Sequence, residues 1–593
     1  QVPIVSRLLP FVCRASPRSL LELMGNTTKK QALVPDFLPG NTIQKKQPRT
    51  VERKRPCCSP CWEGAWPRRR TQVTMSPDAK AKPISPGQKQ ARADSHPQLA
   101  GPNAPTVVVV DPYSSGRFLV YQLAPKYQII CVRSTLQLGG FFLKVYETHK
   151  QYYKETIVFE SMPQLLARLK ASKCKNIVAV FAGSDPAVEL ADELAEALQL
   201  PARNDTKLTK ARKDKAAMQE RLRECGLRAA EQIRSANLFD LLQWATARNQ
   251  WPLVAKPTGS SGSDGIFFCK DLEDVRGAHA EIVGKMNPNG KFNAELVLQE
   301  FLSGTEYIVD TVSHAGKHIC VAVWVYTKRK GTPWNPNCIV SEGNKLLPAS
   351  GEVQDALTSY VFKVLDAIAL RYGPCHTEVM LTARGPVLVE VNARMHGLQG
   401  PHLIGLATGT SKAKYTVDAL AEGGQLIQRR LRESPSTGRW LYPLEKHCLQ
   451  MVLISPVNGY LAKSVSKKIQ DMKLPSVVEV LGPCTQKGQY LQQTCCLNTA
   501  AGNVLMVHES AAQIEADKMR IRKAEESGRL YEVSEHPIPG SPVPSPQSPG
   551  SALQSPATPR MHSVERAEEL WAANLEGLRF MDVDVEMTMV GDE

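Results

Sequence analysis

The sequence predicts an α/β and α+β protein with a disordered tail at each end, and three observations predict it. Apolar, β-rich runs at 106–110, 127–132 and 176–181 alternate with helical segments, the pattern of a parallel sheet. From 212 to 425, helices mix with strands joined by hairpin-like turns, the pattern of α+β lobes. Residues 1–104, rich in Arg, Lys, Pro, Ser and Gln, and the Pro/Ser-rich stretch 536–560 lack sustained periodicity.

Each part follows in order. Residues 1–104 form a basic disordered arm. Within it, 5–23 mixes apolar residues with Arg7, Arg14 and Arg18, as a transit peptide does. A non-native extension ahead of Met75 explains 1–74 equally well. Residues 105–205 form an N-terminal α/β domain. Its first strand stops at Asp111-Pro112, and the loop to Gly116 carries Asp111 and Ser114 where a cleft would open. Its last helix has Val188, Ala191, Leu194, Ala195 and Leu198 on one face, with Asp185 before Pro186 as the expected N-cap. A central domain spans 206–425 and a smaller α/β lobe 426–535. The tail, 536–593, ends in an amphipathic helix (564–578) and an acidic stretch.

The chain has 593 residues and a net charge of +15, but residues 1–100 hold 18 Lys+Arg against 6 Asp+Glu. The remainder is nearly neutral, so no basic face for nucleic acid is expected; binding through the arm alone would be steeply salt-dependent. No apolar run reaches about 18 residues, so no membrane span is expected. Most of the 15 cysteines stand singly in apolar runs, as Cys131, Cys269 and Cys320 do. That suits reduced thiols, and a cytoplasmic protein unless 1–74 targets an organelle. Cys57, Cys58 and Cys61 lack the second ligand pair that zinc needs.

Three segments carry chemistry. In the first, an apolar strand delivers Lys256, and Pro257 leads into Gly259, Ser260, Ser261, Gly262, Ser263 and Gly265. Small residues let backbone N–H groups approach a phosphate, although the spacing is neither a Walker A loop nor GxGxxG. In the second, two apolar strands flank Ser303-Gly304. This is either a plain hairpin or hinge between two strands, or a break whose exposed backbone bonds a planar base while Glu306 holds a ribose. The third, 375–394, is a hairpin around 383–385. A three-residue loop there sets Glu378 opposite Glu390, with Asn392 and Arg394 on the same face. Two opposed carboxylates plus an amide form an all-oxygen set suited to Mg²⁺. A two-residue loop would put the carboxylates on opposite faces, and a solvated acidic hairpin is the plain alternative.

These segments, in this order and spacing, resemble the ATP-grasp superfamily over roughly 106–533, and most closely its amino-acid and dipeptide ligases. The resemblance implies an N-terminal parallel domain, two α+β lobes clasping ATP and a small C-terminal lobe. It implies ATP with Mg²⁺ or Mn²⁺ as cofactors, and small-molecule carboxylate and amine substrates as partners; a homodimer stays open. Residue by residue, Lys215 and Lys256 match the ATP-phosphate lysines. Ser260, Ser261, Gly262, Ser263 and Gly265 match the phosphate loop. Gln299 to Leu302 match the adenine hinge, where the family often has Glu at the Gln299 position. Glu306 matches the ribose acid, and Glu378, Glu390 and Asn392 the metal ligands. Arg394 matches the arginine that stabilises the reaction intermediates, which makes Arg394 and Lys256 the catalytic pair. The run from His396 and Gly397 to Gly400 matches the segment near the transferred phosphate. His376 shares the face of Glu378, and Tyr326 alternates with Trp324 and Lys328 where similar ligases touch substrate; both have plain structural alternatives. The competing functions are a biotin-carboxylase type of ATP-grasp chemistry, lowered by the absence of Met-Lys-Met, and a non-catalytic nucleotide-binding regulator.

Overall fold

β1 (Thr106–Val110) consists of five β-branched residues, all buried. It takes the centre of a parallel sheet with β2 (Gln128–Arg133), β3 (Tyr153–Val158) and β4 (Ile177–Ala182), in the order β3-β2-β1-β4. A strand covered on both faces needs apolar residues at successive positions, and helices supply the cover. Val107 and Val109 pack with Leu119 and Leu123 of α1 (Arg117–Leu123). Val108 and Val110 pack with Leu165 of α3 (Met162–Ala171) and Leu194 of α4 (Ala187–Ala197). Each such valine contributes about 1.5–3 kcal/mol by burial. α2 (Gly140–His149) lies between β2 and β3 in the chain.

This computed structural model describes residues 99–539, apart from 137, 139, 260–264, 287–291, 435–438 and 483. The transit-peptide and zinc expectations, the 564–578 helix, and Ser260, Ser261, Gly262 and Ser263 therefore lie outside the described residues. Among the described residues, no helix is long and apolar enough to cross a membrane.

After α5 (Thr209–Lys213) and α6 (Lys215–Glu224), a small antiparallel sheet forms from β5 (Gln232–Ser235), β6 (Leu253–Pro257), β7 (Phe267–Cys269) and β8 (Leu296–Glu300), in the order β5-β8-β6-β7. α7 (Leu238–Arg248) and α8 (Leu272–Ile282) cover it through Leu241, Ala245, Val275 and Ile282.

The chain then builds a sheet of eight strands. β9 (Thr305–His314), β10 (Lys317–Thr332) and β11 (Asn335–Leu346) form a meander. β12 (Gly373–Thr382) and β13 (Gly385–Asn392) add on the β9 side. β14 (His447–Leu453), β16 (Val477–Leu481) and β18 (Gly502–His508) add beyond β11, giving β13-β12-β9-β10-β11-β14-β18-β16. α9 (Glu352–Ala367) buries Leu357, Val361, Val364 and Leu365 on this sheet. α10 (Gly400–Thr408) contributes Leu403 and Ile404 to the same core, and α12 (Gln425–Arg432) contributes Ile427. α11 (Lys412–Ala421) sends Ala413 and Val417 into the core of the N-terminal sheet. β15 (Gly459–Leu461), β17 (Tyr490–Leu491) and β19 (Val533–Ser534) form a three-stranded sheet, packed with α13 (Val465–Asp471) and α14 (Ala511–Glu526).

Two local expectations are corrected. Asp185 does not cap α4: its N-cap is Pro186, with no side-chain capping bond. The Asp185 carboxylate bonds Lys213 and faces Arg394 instead, because two cations hold it more strongly than a backbone N–H would. The β12–β13 turn has two residues rather than three, since Thr382 pairs with Gly385. Glu378 nevertheless faces Glu390, because a β-bulge between Glu378 and Val379 leaves Val389 unpaired and shifts the register by one.

Candidate active site

The small sheet supplies one wall. Lys256 on β6 is buried, and its Nζ donates to Gln299 Oε1 at 3.0 Å. Gln299 Nε2 donates to Gln232 Oε1 at 2.9 Å, and Gln232 Nε2 donates to the Ala216 carbonyl at 3.0 Å. This chain of amides ties β6, β8 and β5 to α6. Burial, with Lys215 nearby, lowers the Lys256 pKa to about 8. Among the described residues Lys256 has no carboxylate within ion-pair distance, so its charge is available to an anion.

The hinge leads from β8 to β9. Glu300 is spent on structure: Arg384 donates to it at 2.7 Å and the Glu231 N–H at 2.9 Å. Phe301 is 38% exposed and meets Phe268 edge-on, with ring centroids 5.9 Å apart. Leu302 packs with Ala230 and Val387. At Gly304 a Cβ would lie 2.1 Å from the Leu381 carbonyl, so glycine alone lets the hinge lie against β12.

The large sheet supplies the other wall. Lys215 opens α6, whose N-cap Asp214 accepts from the Ala216 and Ala217 N–H groups. Its backbone N–H donates to the Thr258 carbonyl at 3.1 Å, and its Nζ donates to Glu390 Oε1 at 2.7 Å. Burial opposes the Lys215 charge, yet Glu390 outweighs burial and the pKa is raised. Glu306 accepts from Lys328 Nζ at 2.6 Å, while Lys328 stands 4.2 Å above the Tyr326 ring. Burial, with Glu378 adding repulsion against the pull of Lys328, raises the Glu306 pKa to about 7. Glu378 lies 3.4 Å from His376 Nε2 and 4.0 Å from Lys328. Burial opposes its charge, but His376 and Lys328 hold it well below the usual carboxylate range.

Arg394 follows β13. It donates to Asn392 Oδ1 at 3.1 Å and to the Met395 carbonyl at 2.9 Å. Its Nε lies 3.9 Å from Asp185 Oδ1. Burial works against the Asp185 charge, yet Lys213 and Arg394 bring its pKa down to about 2.

Behind these groups lies a buried polar knot. Asp310 on β9 accepts from Lys412 at 2.7 Å and from Trp324 Nε1 at 2.9 Å. It also meets His396 Nδ1 at 2.8 Å and His376 Nδ1 at 3.4 Å. The ligand atoms of Asp310, His376 and His396 are close enough for a metal. With the Lys412 ammonium and the indole N–H already on the carboxylate, the knot is instead a filled hydrogen-bond network that fixes both imidazoles. A Cβ at Gly400 would lie 2.4 Å from the His396 ring, so glycine leaves that ring its place. Gly397 has open space where its side chain would be.

The structure thus gathers Lys215, Lys256, Gln299, Glu306, Tyr326, His376, Glu378, Glu390, Asn392, Arg394 and His396 around one region, with Gly265 at the end of the loop after β6. It turns Glu300 away. Sequence reasoning missed Asp185, Lys213, Asp310 and Lys412 as site residues. Asp185 carried a signal, since it follows a parallel strand at the edge where α/β sheets place functional loops. Asp310, an acid within an apolar strand, carried another. Glu378, Glu390 and Asn392 form a hard-oxygen donor set that fits Mg²⁺, with cations already balancing the two carboxylates.

Residues 249–401 match the ATP-grasp domain family. Lys256, the hinge and the whole β12–β13 hairpin fall inside that match. The chain carries an ATP-grasp domain. The chain is 29% identical over 426 residues to Dapdiamide A synthase of Enterobacter agglomerans, covering 71% of this chain and 96% of that protein. Its fold is similar to the crystal structure of L-amino acid ligase from Bacillus licheniformis, with a TM-score of 0.54, 16% identity, and coverage of 71% and 97%. It is also similar to carboxyaminoimidazole ribonucleotide synthase from Aspergillus clavatus complexed with ATP, with a TM-score of 0.51, 14% identity, and coverage of 71% and 99%. At such identities the two solved structures establish the ATP-grasp fold alone.

Proposed function

We propose that this ATP-grasp chain joins the carboxylate of one amino acid, or a similar small molecule, to the amine of another, releasing ADP and phosphate. The observation that carries the proposal is Lys256, a buried cation without a carboxylate partner among the described residues, on the same wall as the hinge and across from Glu378 and Glu390. The names of the relative and of the Bacillus neighbour, a synthase and an L-amino acid ligase, support amide formation.

Lys215 and Lys256 hold the phosphates of ATP, with Gly265 beside them. The hinge backbone at 299–302 receives the base, and Glu306 accepts from a ribose hydroxyl. Glu378, Glu390 and Asn392 would hold Mg²⁺, which when bound supplies positive charge to the phosphates. The substrate carboxylate attacks the γ-phosphate to become an acyl phosphate, and the amine then displaces phosphate. Such transfer is mostly positioning and charge neutralisation. Arg394 faces the charge that develops, and Asp185 aims it. His376, His396, Tyr326 and Gly397 border the space left for substrate. The cysteines of the described residues are all free, which suits a reducing compartment such as the cytoplasm.

The test is ADP release by the full chain, screened over pairs of amino acids. One or more pairs should stimulate release and yield the condensed product. ATP binding with no stimulation by any pair would overturn the proposal.

A further inference from the structure

Arg117 opens α1 on the loop that leaves β1, at the carboxyl end of the parallel sheet, where α/β folds place ligands. A Cβ at Gly116 would lie 2.4 Å from the Gly183 carbonyl, so this loop packs directly on the loop after β4 that carries Asp185. It also meets the run that follows Arg394. Ser115 Oγ donates to the Met395 carbonyl at 3.5 Å, and Arg117 donates to the Leu398 carbonyl at 3.5 Å. Arg117 donates to the Ser114 carbonyl as well, and its guanidinium lies 4.4 Å from the centre of the Phe118 ring. The residue is 4% exposed, and its Nε has no hydrogen-bond partner among the described residues. None of their carboxylates stands within ion-pair distance of it. Glu479 on β16, half-buried, acts on it from farther off, and His402 on α10 is a second neighbour. Burial lowers the Arg117 pKa to about 10, which leaves it charged at neutral pH. A buried charge is costly without a counter-charge, so a guanidinium left open beside the Arg394 segment suits an anion that arrives with a substrate.

We propose that Arg117 binds the free carboxylate of the substrate that supplies the amine, which makes that substrate an amino acid rather than a simple amine. This rests on the ligase reading above. In that reaction the first substrate spends its carboxylate on the γ-phosphate, which Lys215, Lys256 and the acids of the β12–β13 hairpin hold. A carboxylate that survives the reaction belongs to the amine partner. Arg117 lies against the backbone at Leu398, past Arg394 in the chain, so an amino acid held there by its carboxylate can turn its amine toward the acyl phosphate. The unpartnered Nε and a neighbouring Nη offer the side-by-side donors that match a carboxylate, which fixes orientation as well as affinity.

The test uses the full chain with its Arg117→Gln and Arg117→Lys variants. For a productive pair, replacing the amine-supplying amino acid by its α-amide should cost the wild type on the order of a hundredfold in kcat/KM, because a buried charge is left unpaired. Arg117→Gln should raise KM for that amino acid by a similar factor, leave KM for ATP and for the activated acid within about twofold, and use the amide nearly as well as the acid. Arg117→Lys, which keeps the charge and loses the fork, should recover part of the loss. Undiminished use of the amide by the wild type overturns the proposal without any variant, so a variant that fails to fold does not shield it. Equal losses on acid and amide in Arg117→Gln, or a KM rise confined to ATP or the activated acid, would also overturn it, since Arg117 would then hold backbone rather than substrate. Equilibrium dialysis with each radiolabelled proteinogenic amino acid, in the presence of AMP-PNP and Mg²⁺, reads the site independently of ligation. An amino acid retained by the wild type and released by Arg117→Gln supports the anchor even where no pair turns over and the ligase reading fails. No retention by the wild type, or equal retention by both proteins, overturns the anchor.

Discussion

Arg394 Nε lies 3.9 Å from Asp185 Oδ1, so a carboxylate from the loop after β4 of the N-terminal sheet meets the arginine that follows the β12–β13 hairpin. The contact joins segments over 200 residues apart in the chain. Lys213, two residues before Lys215, bonds the same carboxylate. Asp185 therefore couples the aim of Arg394 to the end of α5.

Asp185→Asn keeps the size of the side chain and removes its charge. Arg394 then keeps its bonds to Asn392 and Met395 but loses its counter-ion. An interaction that matters only as charge develops acts on kcat rather than on substrate binding. We expect kcat to fall on the order of a hundredfold, as small misplacements of a catalytic group do, with KM for ATP within about twofold. Steady-state kinetics decide it. A rise in KM for ATP at unchanged kcat would show that Asp185 serves the nucleotide instead.

Lys256 gives a pH dependence. Its pKa is lowered to about 8 by burial and by Lys215. Below that pH it is charged and attracts phosphate; above it the neutral amine does not. ATP affinity, measured by titration in the absence of amino acids, should weaken as pH rises through about 8. Lys256→Arg, which stays charged, should flatten that limb. Stability of the ligand-free protein should move the other way. The unfolded chain holds this proton up to 10.5 whereas the folded chain releases it near 8, so stability gains as pH rises through that window.

How much of this was legible depended on whether the signal was local. The β-branched run at β1 and the alternation along β12 and β13 are properties of short stretches, and all three predicted strands formed. The pairing of Glu378 with Glu390 was also legible, but through a turn of the wrong length. The two-residue turn at 383–384 would have separated them, and the bulge at Val389 restores the match. A bulge leaves little local trace in an alternating strand. Asp185, Asp310 and Lys412 were not legible as a site, because their partners lie far off in sequence. Asp310 and Lys412 are 102 residues apart.

The Asp310–Lys412 pair makes a stability prediction. Both side chains are fully buried. Removing one member of a buried pair leaves an uncompensated charge, which costs about 3–5 kcal/mol. Lys412→Met should therefore lower the urea midpoint by a corresponding amount. It should also loosen His376 and His396, whose Nδ1 atoms lean on the same carboxylate. A loss below about 0.5 kcal/mol would show that Trp324 and the imidazoles suffice to hold Asp310.

Gln299→Glu tests whether the neutral amide is what leaves Lys256 free for phosphate. Glutamate is the same length and would set a carboxylate where Oε1 now accepts from Nζ at 3.0 Å. The new ion pair favours the charged lysine, so the alkaline limb of ATP binding should move upward from about 8. The same pair competes with phosphate for Nζ. Each pKa unit regained corresponds to about 1.4 kcal/mol of pairing that ATP must displace, so affinity at neutral pH should weaken by roughly tenfold for each unit gained. The two effects are linked through one nitrogen. If the limb moves up while neutral-pH affinity is unchanged, phosphate does not displace the Gln299 position and Lys256 reaches ATP by another geometry. If neither changes, residue 299 and Lys256 are not coupled when ATP binds.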